Sequence, residues 1–169
     1  MRRTIRLIII AAALLAAAPP PGFAQTFVTT GRDTLRGLPG VEVAIENLEA
    51  DVTADGLTIP AIQSDVVGRL QRAGVPVYSS QVANPSPAKA YVYVRVNNLK
   101  LPAAGVYAMS VDVQIRQTVR SLVSTSNIVD AVTWDHADVV VVPVARAADV
   151  RMVINEFVDD FIQDWKAVH

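Results

Sequence analysis

Tyr91-Val92-Tyr93-Val94-Arg95-Val96-Asn97 and, beyond a Pro102-to-Gly105 turn, Met109-Ser110-Val111-Asp112-Val113-Gln114-Ile115-Arg116 decide the fold of this chain. Both stretches alternate apolar and polar residues, and successive strand side chains point to opposite faces. Val92, Val94 and Val96 therefore form one face of the first strand, while Tyr91, Tyr93, Arg95 and Asn97 form the other. In the second, Met109, Val111, Val113, Ile115 and Val119 oppose Ser110, Asp112, Gln114, Arg116, Thr118 and Arg120. The two are expected to pair as a long hairpin with one buried and one wet face.

Working outward, Val41-Glu42-Val43-Ala44-Ile45-Glu46 is a further strand with Glu42 and Glu46 outward, and residues 47–56 read as a polar connection. Thr58 is placed to cap a helix that has Pro60 in its first turn and Ile59, Ile62, Val66, Leu70 and Ala73 at helical spacing, with Gly74 ending it. Val75-Pro76-Val77-Tyr78 reads as a short strand whose early proline suits a sheet edge or a strand start. After a turn at Ser124 to Asn127, Ile128 to Val142 resumes strand character, although Val139 to Val142 lacks alternation. A final helix from about Ala147 carries Val150, Val153, Ile154, Phe157, Val158, Phe161, Trp165 and Val168 on one stripe. Asp149, Glu156, Asp159, Asp160 and Asp164 are expected on its solvated side, Trp134 and Trp165 in the core, and His169 frayed. This order predicts an α+β two-layer sandwich, an antiparallel-rich mixed sheet with two helices on one face.

At the N-terminus, Arg2, Arg3 and Arg6 precede the apolar run Leu7 to Ala18, and Pro19 to Ala24 follows, the order of parts in a secretory leader. The run is too short for a bilayer span of about 20 residues. Residues 1–24 are thus expected to be a signal peptide cleaved near Ala24, residues 25–40 an irregular arm whose Leu35 and Leu38 tuck against the domain, and residues 41–169 a single α+β domain. Localisation follows as periplasm or secreted. Removing the leader takes three of the fifteen Lys and Arg and none of the sixteen Asp and Glu, which leaves twelve against sixteen, a net of −4. Such a balance argues against nucleic acid as a partner. The mean hydropathy of +0.33 is raised by the leader, and no later run approaches spanning length. The chain has no cysteine, hence no disulfide, no thiolate ligand and no acceptor for a lipid anchor.

Leu35-Arg36-Gly37-Leu38-Pro39-Gly40-Val41-Glu42-Val43 and Gln114-Ile115-Arg116-Gln117-Thr118-Val119-Arg120, with Trp134 and the terminal Phe157-Val158-Asp159-Asp160-Phe161 helix, look like a family of uncharacterised secreted bacterial proteins. The element order with export also resembles periplasmic α+β domains such as the TolB N-terminal domain and LptE-like assembly proteins. The resemblance implies a fold and a compartment in the cell envelope, and no catalytic residue.

Asp135-His136-Ala137-Asp138 is where a histidine sits among carboxylates. On a strand Asp135 points away from His136 and Asp138, which leaves too few ligands on one side for zinc. The acidic residues of the last helix lie on an open surface without enclosing geometry for calcium. Serine-elbow, zinc-protease and phosphate-loop patterns do not occur in the sequence. The chain is therefore read as non-enzymatic, with no metal and no cofactor. Tyr91, Tyr93, Arg95, Arg116 and Arg120 are the candidate interaction surface, because Tyr and Arg combine contact area with directional polar groups and here line the face that the helices do not need. The expected function is an interaction or accessory module of the bacterial cell envelope that binds a protein partner through an open sheet face or edge, with homo-oligomerisation open to it. The alternative is a carrier of a small apolar ligand between helices and sheet. Mass spectrometry of the exported protein is expected to return a chain beginning at Gln25. An intact Met1 species lodged in the membrane would show that the leader is an anchor.

Overall fold

The central hairpin forms as the alternation predicts. Strand β2 (Tyr91–Leu101) runs antiparallel to β3 (Val106–Arg120), from Tyr91 opposite Arg116 to Leu101 opposite Val106. A single 3-10 turn at Pro102–Ala104 joins them, and Gly105 closes it at φ 66°, a left-handed conformation that glycine adopts without steric penalty. The structure is a computed structural model that describes residues 31–79, 81–124 and 126–169. The expected leader over residues 1–24 and the arm's residues 25–30 lie outside the described residues.

On the far side of β3, β4 (Ile128–Pro143) pairs antiparallel along the whole strand. The register shifts where Ile115 faces Trp134 and Arg116 faces Val132, so Thr133 is the extra residue of a bulge. On the other side of β2 lies the short β1 (Glu42–Ile45), which runs parallel to it. Parallel neighbours need a crossover. Here it is filled by α1 (Ala50–Ala54) and α2 (Ile59–Arg72), the latter capped by the Thr58 hydroxyl, which accepts from the Ala61 amide at 3.4 Å. The sheet order is β1-β2-β3-β4, and α3 (Val150–Val168) returns across the same face as α2 after a 3-10 turn at Val144–Asp149. The protein is thus an α+β two-layer sandwich with an antiparallel-rich mixed sheet.

The core lies between the helices and one sheet face. Val92, Val94, Met109, Val111, Val113 and Ile115 are fully buried there against Ile62, Val66 and Leu70 of α2 and Val158 and Phe161 of α3. Two ion-pair seams tie the helices side by side: Arg69 donates to both Asp159 oxygens at 2.8 and 2.6 Å, and Arg151 to Asp65 at 2.7 Å. Leu35 and Leu38 are buried too.

Some local expectations differ from the structure. The 47–56 connection contains α1, because fully buried Val52 supplies a tertiary anchor that its polar neighbours conceal. Val75 to Tyr78 makes only one bridge, Val41 beside Val77. The acidic residues of α3 are not merely solvated: Asp164 accepts from the Trp134 indole at 2.9 Å and from Arg32 at 2.6 Å, and Asp160 lies 3.0 Å from His136. His169 is held, stacked on Trp165 at 4.1 Å with its ring nitrogens 3.0 Å from the carbonyls of Trp165 and Leu38. Phe157 is half-buried at the helix margin, whereas Phe161 is fully buried between Trp134 and Trp165. Phe161→Ala is expected to lower the unfolding free energy by about 3–5 kcal/mol through lost burial and a residual cavity, and Phe157→Ala by about 1–2 kcal/mol. Urea denaturation of both variants checks the order; equal losses would mean that the helix margin is as tightly packed as its centre.

Candidate interaction surface

Because β3 is hydrogen-bonded on both sides, its alternation fixes which residues of every strand face away from the helices. Residues directly opposite one another share a face. The open face therefore consists of cross-strand rows: Glu42-Tyr91-Arg116-Val132, Ala44-Tyr93-Gln114-Asp135, Arg95-Asp112-Ala137, Asn97-Ser110-Val139, Leu99-Ala108-Val141 and Leu101-Val106-Pro143. All five candidate residues lie on it, with Arg120 beyond the first row opposite Ile128.

Tyr91, Tyr93, Arg95 and Arg116 are engaged with neighbouring strands. Arg116 and the Tyr91 hydroxyl both donate to Asp130, at 2.8 and 3.0 Å, and the Arg116 guanidinium lies 5.5 Å above the Tyr93 ring. Tyr91 and Tyr93 meet edge to face at 6.3 Å. Arg95 donates to Asp112 at 3.3 Å. Protonation follows these contacts: Asp130 accepting from it holds Arg116 above its ordinary value, Asp112 does the same for Arg95, and Glu46 together with burial raises the Tyr93 phenol. The candidates thus form a paired, half-buried charged end of the sheet. Arg120 lines a cavity of about 250 Å³ with Pro87, Ala88, Thr118, Val119 and Ile128.

The other end of the same face is apolar and uncovered. Leu99 is 61 %, Leu101 41 %, Val139 69 % and Val141 66 % exposed. Sequence reasoning passed over these residues, although Leu99 and Leu101 are in phase with Tyr91, Tyr93 and Arg95. Extending the period-two count past Asn97 would have placed them outward.

What turns the leucines outward is a polar clamp on the opposite face. Asn98 Nδ2 donates to Asp51 at 3.1 Å, and Lys100 Nζ and the Tyr107 hydroxyl both donate to Asp55 Oδ2 at 2.6 Å. The helix α1 that the sequence concealed thereby grips residues 98, 100 and 107. Their alternating neighbours Leu99 and Leu101 have nowhere to point but away.

The Asp135-to-Asp138 stretch is divided by the strand as anticipated. Asp135 faces outward opposite Gln114, whereas His136 lies on the helix side between Trp134 and Phe157, with ring centroids at 5.1 and 5.4 Å. Among the described residues no group of three or more His, Asp or Glu is arranged to hold a metal ion. No model of a known protein family matches the chain, and no curated protein matches it either.

The clamp has a pH signature. Hydrogen bonds from Lys100 and then Tyr107 hold the Asp55 carboxyl below its ordinary 3.8, and the Asp55 hydrogen bond first of all holds Lys100 above its ordinary 10.5. A lowered carboxyl contributes stability that is full above pH 3.8 and lost as pH falls through the folded value; a raised amine contributes stability that is full below pH 10.5 and lost as pH rises through its folded value. Asp55→Asn is therefore expected to be less stable than the parent between those limits, with the gap narrowing beyond either one. Urea midpoints measured against pH check this, and a gap of constant size would show that the clamp is not ionic.

Proposed function

We propose that this protein is an exported, non-enzymatic docking module of the bacterial cell envelope. A protein partner is received on the apolar end of the open sheet face and along the adjoining β4 edge. The observation that carries the reading is the cluster of Leu99, Leu101, Val139 and Val141 on the face that neither α2 nor α3 covers. Contiguous exposed apolar area rimmed by polar residues is characteristic of interaction sites, and the charged end from Tyr91 to Asp130 supplies such a rim. The paired Tyr and Arg residues would then orient and select, while the leucines and valines supply burial.

Several features favour a scaffold over chemistry. The carboxylates of Asp55, Asp112, Asp130 and Asp164 are each engaged by side chains of neighbouring elements, so they serve to position strands and helices. The alternative, a carrier of an apolar ligand between helices and sheet, draws no support from the packing. Ile62, Leu70, Met109, Ile115 and Phe161 are fully buried in that layer, and the described cavity beside Arg120 lies at the far end of β3 and β4 instead. Export rests on the leader residues Arg2, Arg3 and Arg6 with the apolar run after them. No described helix is long and apolar enough to cross a membrane.

A photo-crosslinking side chain placed at Leu99 or Val139 in the native cell is expected to form an adduct with an envelope protein, and Leu99→Glu with Val141→Glu is expected to abolish it. Exposed substitutions of this kind change stability by only about 0.5 kcal/mol each. Adducts that arise from Gln71 on α2, and not from Leu99 or Val139, would move the docking surface to the helices and overturn the reading.

A further inference from the structure

Resting on the docking reading, we infer that the free edge of β4 takes an extended segment of the partner as a fifth, antiparallel strand. The segment is apolar where it meets Val139 and Val141 and basic where it meets Asp135 and Asp138. Among the described residues β4 pairs with β3 on one side only. The edge is met from outside at Thr133 and Trp134: the Thr34 hydroxyl donates to the Thr133 carbonyl at 3.0 Å, and Gly31 sits so close that a Cβ there would lie 2.9 Å from the Thr133 oxygen and the Trp134 Cα. From Asp135 to Val142 the strand is exposed or half-exposed at every residue. An uncovered edge offers unpaired amides and carbonyls at strand spacing, which is the template for strand addition.

Charge decides what kind of strand fits. Residues 128–143 contain Asp130, Asp135 and Asp138 and no Lys or Arg. Asp130 is satisfied by Arg116. Among the described residues no cation lies within ion-pair distance of Asp135 or Asp138. A second copy of this chain would bring another Asp135 and Asp138 into the same seam, whereas a basic segment neutralises both.

The register then specifies the recognised pattern. Asp135, Val139 and Val141 lie on the open face opposite Gln114, Ser110 and Ala108, while Asp138, opposite Val111, points to the other face. Residues directly opposite in an antiparallel pair share a face. Read from its N-terminus, the added strand is therefore apolar, any residue, apolar, basic, any, any, basic. The apolar pair continues the Leu99-Ala108-Val141 and Asn97-Ser110-Val139 rows across the edge, so main-chain bonds supply affinity and these side chains supply selectivity.

The test uses the purified protein and a capped peptide Thr-Val-Thr-Val-Arg-Thr-Thr-Arg-Thr, followed by amide chemical shifts. Saturable shifts confined to β4 and its open-face neighbours are expected, weakened roughly fivefold by Asp135→Asn with Asp138→Asn, as two exposed ion pairs allow. Replacing both peptide arginines by glutamate, or methylating alternate backbone nitrogens, is expected to abolish binding. The inference is overturned if the peptide fails to bind at about millimolar concentration, if the glutamate peptide binds as well, or if the protein dimerises through β4 instead. Persisting crosslinks from Val139 in cells alongside a failed peptide would leave the docking surface standing and remove strand addition alone; loss of both would remove both.

Discussion

The alternation of side chains along β3 is the constraint on which the rest of this protein depends. The strand is hydrogen-bonded to β2 on one side and β4 on the other, so the direction in which Met109, Val111, Val113 and Ile115 point is imposed on both neighbours. Those four residues are fully buried under α2 and α3. A slip of one residue would move them all to water and carry Asp112, Gln114 and Arg116 into the core. Burial of a valine or isoleucine side chain contributes about 1.5–3 kcal/mol each, so such a slip is strongly disfavoured. Once this register is fixed, the open face is fixed with it, residue by residue.

That face is not uniform, and the difference between its ends traces to what lies on the covered side. Near Tyr91 and Arg116 the outward residues are long and paired, with Asp130 accepting from two strands at once. Toward the hairpin turn, the covered side carries polar residues instead: Asn98, Lys100 and Tyr107 reach down to Asp51 and Asp55 of α1 and its C-cap. Polar groups inward leave apolar groups outward. A sheet end that inverts the usual arrangement gives up the burial of Leu99 and Leu101 in the monomer, and recovers it only when something covers them.

Much of this was legible in the sequence because period-two alternation is a direct report of strand facing. The hairpin, the Thr58 cap, the α3 stripe and the outward placement of Tyr91, Tyr93, Arg95, Arg116 and Arg120 all follow from spacing alone. What could not be read were contacts made across long stretches of chain. Nothing local marks Asp164 as the partner of Trp134 and Arg32, or Asp55 as the partner of Lys100 and Tyr107. The same holds for α1, whose five residues are too few for a periodic signal and whose formation rests on the burial of Val52. The exposed apolar end was missed for a different reason: Val139 to Val142 is continuous rather than alternating, and a continuous run reads equally well as a strand buried on both faces. Only the sheet order shows that β4 is an edge.

A long edge strand with a valine-rich half is a hazard that proteins ordinarily manage with charge, bulges or cover. Here the bulge at Thr133 and the contacts from Gly31 and Thr34 interrupt the edge at Thr133 and Trp134, and Asp135 and Asp138 guard the approach to the valine-rich half. Docking at this edge requires the stretch from Asp135 to Val142 to be unpaired in the protein alone. Native-state amide hydrogen exchange measures this directly. β3 from Val106 to Arg116, flanked on both sides, and β2 from Tyr91 to Val94, beside β1, should be protected at every residue, while from Asp135 to Val142 protected and fast-exchanging amides should alternate, since every second amide points away from β3. Uniform protection along this half of β4 would contradict the account, because it would mean that another strand already occupies the edge.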